Sequence, residues 1–179
     1  MKSEQLESKR IICEPLSLNH LSKKYVNWLN DPKVNRFMNS GGNYTLNMLE
    51  EYLLNVEKKK IFAWAIYIKN ENKHIGNIKI DPINYKHAFG DYGIMIGDKS
   101  QWGRGFAREA SELVIKFCFK KLQLRKINLE LISEHIYALK LYNDIGFKVE
   151  GIFKNHFKFE MGYSDSIRMA IFNSELNYD

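Results

Sequence analysis

The stretch Gly97-Asp98-Lys99-Ser100-Gln101-Trp102-Gly103-Arg104-Gly105-Phe106-Ala107 decides the fold. Before it runs Tyr92-Gly93-Ile94-Met95-Ile96, a short apolar run bounded by glycine, which predicts a strand. After it, Phe106, Ala110, Leu113, Val114, Phe117 and Cys118 recur at three- and four-residue spacing, which predicts an amphipathic helix. Gly103 and Gly105 permit backbone angles closed to other residues and let a ligand approach the main chain. The first amides of a helix lack internal partners and carry partial positive charge. Strand, glycine turn and helix start therefore make a cradle suited to a phosphate or pyrophosphate. Arg104 adds a cation between the two glycines. The same glycines would equally serve a plain strand-to-helix turn. A Rossmann fingerprint would need a third glycine, and a Walker loop a Gly-Lys-Ser/Thr, and the stretch has neither.

Working outward, 179 residues suit one domain, spanning 1–179, with a real core. A hydrophobic content of 45% with 27% charged residues is that of an ordinary globular chain. The two cysteines, Cys13 and Cys118, suggest neither a disulfide framework nor a metal site, and Cys118 falls on the apolar helix face. The opening MKSEQLESKR lacks the apolar core of a signal peptide. No apolar run approaches the roughly 20 residues that span a bilayer, so a cytoplasmic protein without membrane partners is expected. The net charge of +6 concentrates in lysine clusters at expected helix ends, where cations favour the helix dipole. No RNA- or DNA-binding signature accompanies them, so nucleic acid is not the expected partner.

A first strand is expected over 10–15, closed by Pro15. A helix follows from Ser17 or Asn19 to Asn30, and Pro32 forbids its continuation. Val34 to Met38 is a possible further turn, and Ser40-Gly41-Gly42-Asn43 is a loop by composition. Thr45 caps a second helix with Leu46, Leu49, Leu53 and Val56 on one face. Strands are expected over 62–68, 74–80, 87–96, 126–132, 148–159 and 166–172. A short helix over 136–145 is stopped by Gly146, with Phe147 following. The order β-α-α-β-β-β-α-β-α-β-β implies an α/β (α+β mixed) fold, one mixed sheet of about seven strands with helices on both faces.

This arrangement resembles the GNAT superfamily of acetyl-CoA-dependent N-acetyltransferases, and its RimJ/RimL-like branch in particular. Trp102-Gly103-Arg104-Gly105-Phe106-Ala107 is similar to the family loop Gln/Arg-x-x-Gly-x-Gly/Ala, with Trp102 in place of Gln or Arg. His135 to Phe147 is similar to the block Asn-x-x-Ala-x-x-Leu-Tyr-x-x-x-Gly-Phe, with His135 in place of Asn. Trp28-Leu29-Asn30-Asp31-Pro32 resembles a segment common in this branch.

The resemblance implies that the pyrophosphate of CoA rests on Trp102, Gly103, Arg104, Gly105, Phe106 and Ala107. The pantetheine arm then pairs like an added strand near Met95 and Ile96, and His135 contacts pantetheine or the thioester. Acetyl transfer needs a base for the amine, donors for the oxyanion and an acid for the departing thiolate. Tyr142 matches the family's leaving-group tyrosine. Glu130, twelve residues earlier, is the leading base, Asp91 the rival, and a water chain with no single base a third route. Trp28, Asn30, Asp31 and Arg36 are expected at the acceptor pocket, with Phe37, Tyr163 and Asp165 as further candidates. The acceptor is a small amine, an amino sugar, nucleotide-linked or not, or a protein N-terminus. A homodimer is a possible assembly. The alternative function is a catalytically weak acyl-CoA sensor of the same fold.

Overall fold

The strand before the glycine turn is Phe89–Ile96, here β5, and the helix after it is Phe106–Lys120, here α4. Both stand where the change of hydrophobic period puts them. The structure is a computed structural model, and it describes residues 2–38 and 41–176. In chain order the other elements are β1 (Leu6–Glu7), β2 (Ile11–Pro15), α1 (Lys23–Asn30), α2 (Pro32–Asn35), α3 (Leu46–Lys59), β3 (Phe62–Ile68) and β4 (Lys73–Asn84). After α4 come β6 (Lys126–Ile132), α5 (Ile136–Asp144), β7 (Lys148–Phe159) and β8 (Gly162–Phe172).

The strands form one mixed, mostly antiparallel sheet in the order β1-β2-β3-β4-β5-β6-β8-β7. Among the described residues it has eight strands rather than about seven. The additional strand, β1, is two residues long and pairs Leu6 with Cys13. A strand that short leaves no alternating pattern to detect. β5 pairs with β6 in parallel over Phe89–Asp91, and β6 with β8 antiparallel along its whole length.

Four boundaries differ markedly from the sequence reading. The first expected helix is a 3-10 turn over Leu18–His20 followed by α1, because Ser22 starts a fresh helix by accepting from Tyr25 N at 3.2 Å. The further turn is Pro32–Asn35 rather than 34–38. Asp31 caps it through Lys33 N at 2.9 Å, and Pro32 occupies the first position, where its missing N–H costs nothing. β4 continues through a cis Asp81-Pro82 peptide to Asn84, and β8 begins at Gly162. Of the expected loop, Ser40 lies outside the described residues.

Contacts group the chain into two compact units, the first running through Pro82 and including Gly93–Val114, the second comprising Ile83–Tyr92 and the chain from Ile115 onward. In the first unit, Tyr25, Trp28 and Leu29 of α1 and Leu49, Leu53 and Val56 of α3 pack with Leu16, Ala63 and Ala65. Positions 49, 53 and 56 share one helix face. Each fully buried Leu, Ile or Val contributes about 1.5–3 kcal/mol. In the second unit, Ile127, Leu129 and Leu131 of β6 are buried, as are Ile167 and Met169 of β8, Tyr142 and Phe147. Cys13 and Cys118 are buried free thiols, and burial pushes the Cys13 thiol up to about 12.

Candidate active site

In the first unit the chain leaves β5 through Gly97, whose N–H donates to Ile75 O at 2.9 Å. A Cβ there would fall 2.1 Å from the Trp28 ring, so only glycine fits. Asp98 caps a 3-10 turn over Lys99–Gln101, accepting from Ser100 N at 3.0 Å, and Lys73 pairs with it at 2.8 Å. Trp102 donates from Nε1 to Ile96 O at 2.7 Å, which folds the turn back on the end of β5. Gly103 and Gly105 then take φ of +73° and +81°. Open space surrounds the missing Cβ of Gly103, so backbone conformation rather than packing demands glycine there. Arg104 donates to Gln101 Oε1 at 2.5 Å and stands 5.4 Å from the centroid of the buried Phe106 ring. Ala107 is half-buried. The first-turn amides of α4 thus open directly behind two left-handed glycines, the geometry that concentrates positive potential on an anion. Met95 and Ile96 are half-buried at the end of β5. A Cβ on Gly76 would meet Met95 O at 2.2 Å, so the two backbones lie in direct contact.

The second unit carries Asp91, Glu130, His135 and Tyr142. On β6, Glu130 is exposed between buried Leu129 and Leu131. Its Oε1 accepts from Ser166 Oγ at 2.5 Å, and His156 Nε2 lies 3.9 Å from the same oxygen. Asp91 accepts from Asn128 Nδ2 at 3.2 Å, with Arg168 Nη2 at 3.6 Å. Register pairs Asp91 with Asn128 and Glu130 with Arg168. Residues opposite one another, and residues two apart on a strand, share a sheet face. Asp91, Asn128, Glu130 and Arg168 therefore form one polar face.

Tyr142 is 8% exposed on α5 and stacks edge-on with Tyr92 at 5.7 Å, with Phe147 at 5.8 Å. Burial pushes its phenol well above the ordinary tyrosine value and keeps the proton on the oxygen. Gly146, at φ +106°, ends α5, and Phe147 N returns to Tyr142 O at 2.9 Å. His135 precedes α5, donating its backbone N–H to Ile132 O at 3.0 Å, and burial lowers its imidazole.

The residues expected at the acceptor pocket are engaged locally. Trp28 belongs to the core of the first unit. Asn30 holds both the N–H and the carbonyl of Tyr44, at 2.7 and 2.8 Å. Asp31 caps α2 and pairs with Lys99, whose bond, ahead of the Lys33 amide, holds its carboxyl below the ordinary value. Arg36 lies against Phe37 at 5.2 Å. Asp165 is taken by Lys154 and Asn155 N, and Tyr163 is exposed. Sequence reasoning missed Asn128, Arg10 and Glu109. Buried polar residues in strands carry no periodic signal, and Arg10 and Glu109 meet across 99 positions.

The family described as "Acetyltransferase (GNAT) domain" matches residues 10–148. The chain belongs to this family and is an acetyl-CoA-dependent acyltransferase. The spermidine N(1)-acetyltransferase of Escherichia coli (strain K12) is 28% identical over 134 residues, 70% of this chain and 72% of the relative. An uncharacterized N-acetyltransferase, p20, of Bacillus licheniformis is 25% identical over 162 residues, 87% of this chain and 88% of its own. A crystal structure of spermidine N-acetyltransferase from Vibrio cholerae in complex with CoA and spermine superposes with a TM-score of 0.84 at 25% identity, covering 92% of this chain and 96% of that one. Among the described residues, no helix is long and apolar enough to cross a membrane.

Proposed function

We propose that this enzyme transfers the acetyl group of acetyl-CoA to a primary amine of a small polycationic molecule, by direct attack in a ternary complex. The observation that carries the reading is the loop of Gly103 and Gly105 opening α4, at φ +73° and +81°, in a chain of this family. The polyamine class is supported by the names of the relatives and by the carboxylates Asp91 and Glu130 on one sheet face, which suit a cationic amine. An amino sugar or a protein N-terminus remains the competing acceptor class.

In this reading the amides from Trp102 to Ala107, with Arg104, hold the pyrophosphate, and the backbone of Met95 and Ile96 pairs with pantetheine. His135 lines the pantetheine or thioester position. Glu130 takes the proton from the amine, with Asp91 as the alternative base. The amine nitrogen attacks the thioester carbon, the carbon–sulfur bond breaks, and Tyr142 donates a hydrogen bond to the departing sulfur. A thiolate of ordinary pKa, about 8.5, needs little more than that donor near neutral pH. Trp28, Asn30, Asp31 and Arg36 frame the amino-terminal side of the acceptor region through the contacts they make. One GNAT domain of the RimJ/RimL-like branch, cytoplasmic and dimeric, completes the proposal. The half-exposed Val149, Ile152 and Phe153 of the terminal sheet strand β7 favour the dimer.

The test is thiol release from acetyl-CoA against polyamines, aminoglycosides, nucleotide-linked amino sugars and short peptides. Turnover with spermidine or spermine above the other amines is the expected result. Tight CoA binding without thiol release for any amine would transfer the reading to an acyl-CoA sensor, a role the replacements at Trp102 and His135 allow.

A further inference from the structure

The glycine loop of the first unit is gripped from the amino-terminal hairpin. Arg10, beside β2, donates from Nε to Glu109 Oε2 at 2.6 Å, with Nη2 also 2.6 Å from that oxygen. Its backbone N–H donates to Glu109 Oε1 at 3.1 Å, and Ser8 Oγ donates to the same oxygen. The remaining guanidinium nitrogen, Nη1, donates to the carbonyl of Arg104 at 3.0 Å, between the two left-handed glycines. The guanidinium carbon also lies 4.7 Å from the centroid of the Phe106 ring. A Cβ on Gly105 would sit 3.4 Å from Nη2, so the fork rests directly on the loop.

From this geometry we infer that Arg10 and Glu109 form a clamp that positions the acetyl-CoA loop, with Arg10 a positioning residue for the reaction. The inference rests on the reading of Trp102 to Ala107 as the pyrophosphate cradle. Turning the Arg104 carbonyl toward Arg10 fixes the peptide plane between residues 104 and 105, and therefore the direction of the Gly105 N–H. An anion cradle works only if its amides point at the ligand before it arrives, because ordering them afterwards subtracts from affinity. Glu109 lies in the first turn of α4, where a carboxylate also suits the helix dipole. Burial acts to raise its carboxyl, and the bonds from Ser8 and Arg10 outweigh that and keep it ionised. A lysine at position 10 would supply the charge without the fork that spans a carboxylate and a carbonyl together.

The experiment compares wild type, Arg10→Ala, Arg10→Lys, Glu109→Gln and the double variant Arg10→Ala/Glu109→Gln. It measures CoA affinity by calorimetry, amide hydrogen exchange of residues 102–107, and KM for each substrate. Arg10→Ala is expected to weaken CoA binding about tenfold, the worth of one charge-assisted hydrogen bond. The KM for acetyl-CoA should rise by the same factor while the KM for the amine stays. Arg10→Lys is expected to recover less than half of the loss, and the double variant to cost no more than the worse single one. Loop exchange should accelerate in Arg10→Ala at temperatures where the rest of the chain remains protected. If Arg10→Ala disturbs folding, Glu109→Gln carries the same comparison with a near-isosteric side chain. Unchanged CoA affinity and loop exchange in both single variants would overturn the clamp and leave the acetyltransferase reading standing. A wild-type protein that does not bind CoA, with loop exchange still accelerated by Arg10→Ala, would overturn the cradle and keep the clamp.

Discussion

Asn128, 2% exposed, donates from Nδ2 to Oδ1 of Asp91 at 3.2 Å, and Arg168 approaches that same oxygen at 3.6 Å. The Asn128 amide orientation is forced, since its oxygen cannot face a carboxylate. Its Oδ1 is buried with no hydrogen-bond partner. Asn128→Ala is expected to cost about 1.5–3 kcal/mol, the worth of a hydrogen bond to a charged group, read by urea denaturation. It should also raise the KM for the amine while leaving that for acetyl-CoA unchanged. Asn128→Asp, which sets two carboxylates together, should destabilise more, and increasingly as pH rises above the carboxylate range.

Tyr142→Phe removes the hydroxyl and keeps the ring that packs with Tyr92 and Phe147. Thermal stability and CoA affinity should stay near wild type, while kcat falls by about 10²-fold, the usual worth of a positioned proton donor. An unchanged kcat would remove Tyr142 from the reaction.

Glu130→Gln preserves an acceptor for Ser166 Oγ, which donates to Glu130 Oε1 at 2.5 Å, and removes the carboxylate proposed as the base. A fall in kcat of about 10²-fold is expected. If Asp91→Asn produces that loss and Glu130→Gln does not, the base is Asp91.

His74 makes the first unit sensitive to acid. Its ring is enclosed by Tyr67, Trp28, Tyr25 and His20 at centroid distances of 5.1, 5.0, 5.9 and 5.6 Å. Nε2 faces Gly76 O at 2.9 Å and Asn77 Oδ1 at 3.1 Å, and since a carbonyl can only accept, Nε2 carries the hydrogen. Burial is the main cause that lowers this imidazole to about 4, opposed by the bonds to Asn77 and Gly76 and assisted by His20 and Lys24. A depressed folded-state value means that the unfolded chain binds the proton more readily. Stability is therefore full above the ordinary value near 6.5 and is lost as pH falls toward 4, by up to about 3 kcal/mol. Unfolding midpoints measured between pH 7 and pH 4 should show this slope, and His74→Phe should flatten it.

Gly105→Ala places a side chain at φ +81° and 3.4 Å from Arg10 Nη2. It should cost about 1–2 kcal/mol for the left-handed conformation and raise the KM for acetyl-CoA. Gly151→Ala, in open space at ordinary φ, is the matched control.

The glycine turn, α4 and the stop at Gly146 were all legible in the sequence. Each depends on local chemistry: a period, a cap, or a residue that alone tolerates positive φ. The break between the 3-10 turn and α1 was not, because Leu18, Leu21, Tyr25, Trp28 and Leu29 keep helical spacing across it while Ser22 caps anew. Asp31 was expected at the acceptor pocket, and its pairings with Lys99 and the Lys33 amide depend on the fold, so no local signal showed them. Arg10 and Glu109, and Asp91 with Asn128, meet across long separations. Nothing at either end of such a pair announces the other.

Trp28 occupies the space where position 97 would carry a side chain, its ring atoms 2.1 to 2.5 Å from the missing Cβ. If α1 borders the acceptor as proposed, drift or laboratory evolution toward a new acceptor meets this packing first. A smaller residue at 28 leaves a hollow beneath the first residue of the glycine turn, and a larger residue at 97 has nowhere to go while the indole remains. The two positions form a lock that single steps cannot open. Libraries that randomise 28 and 97 together can reach acceptor variants that one-site libraries, however large, leave undiscovered.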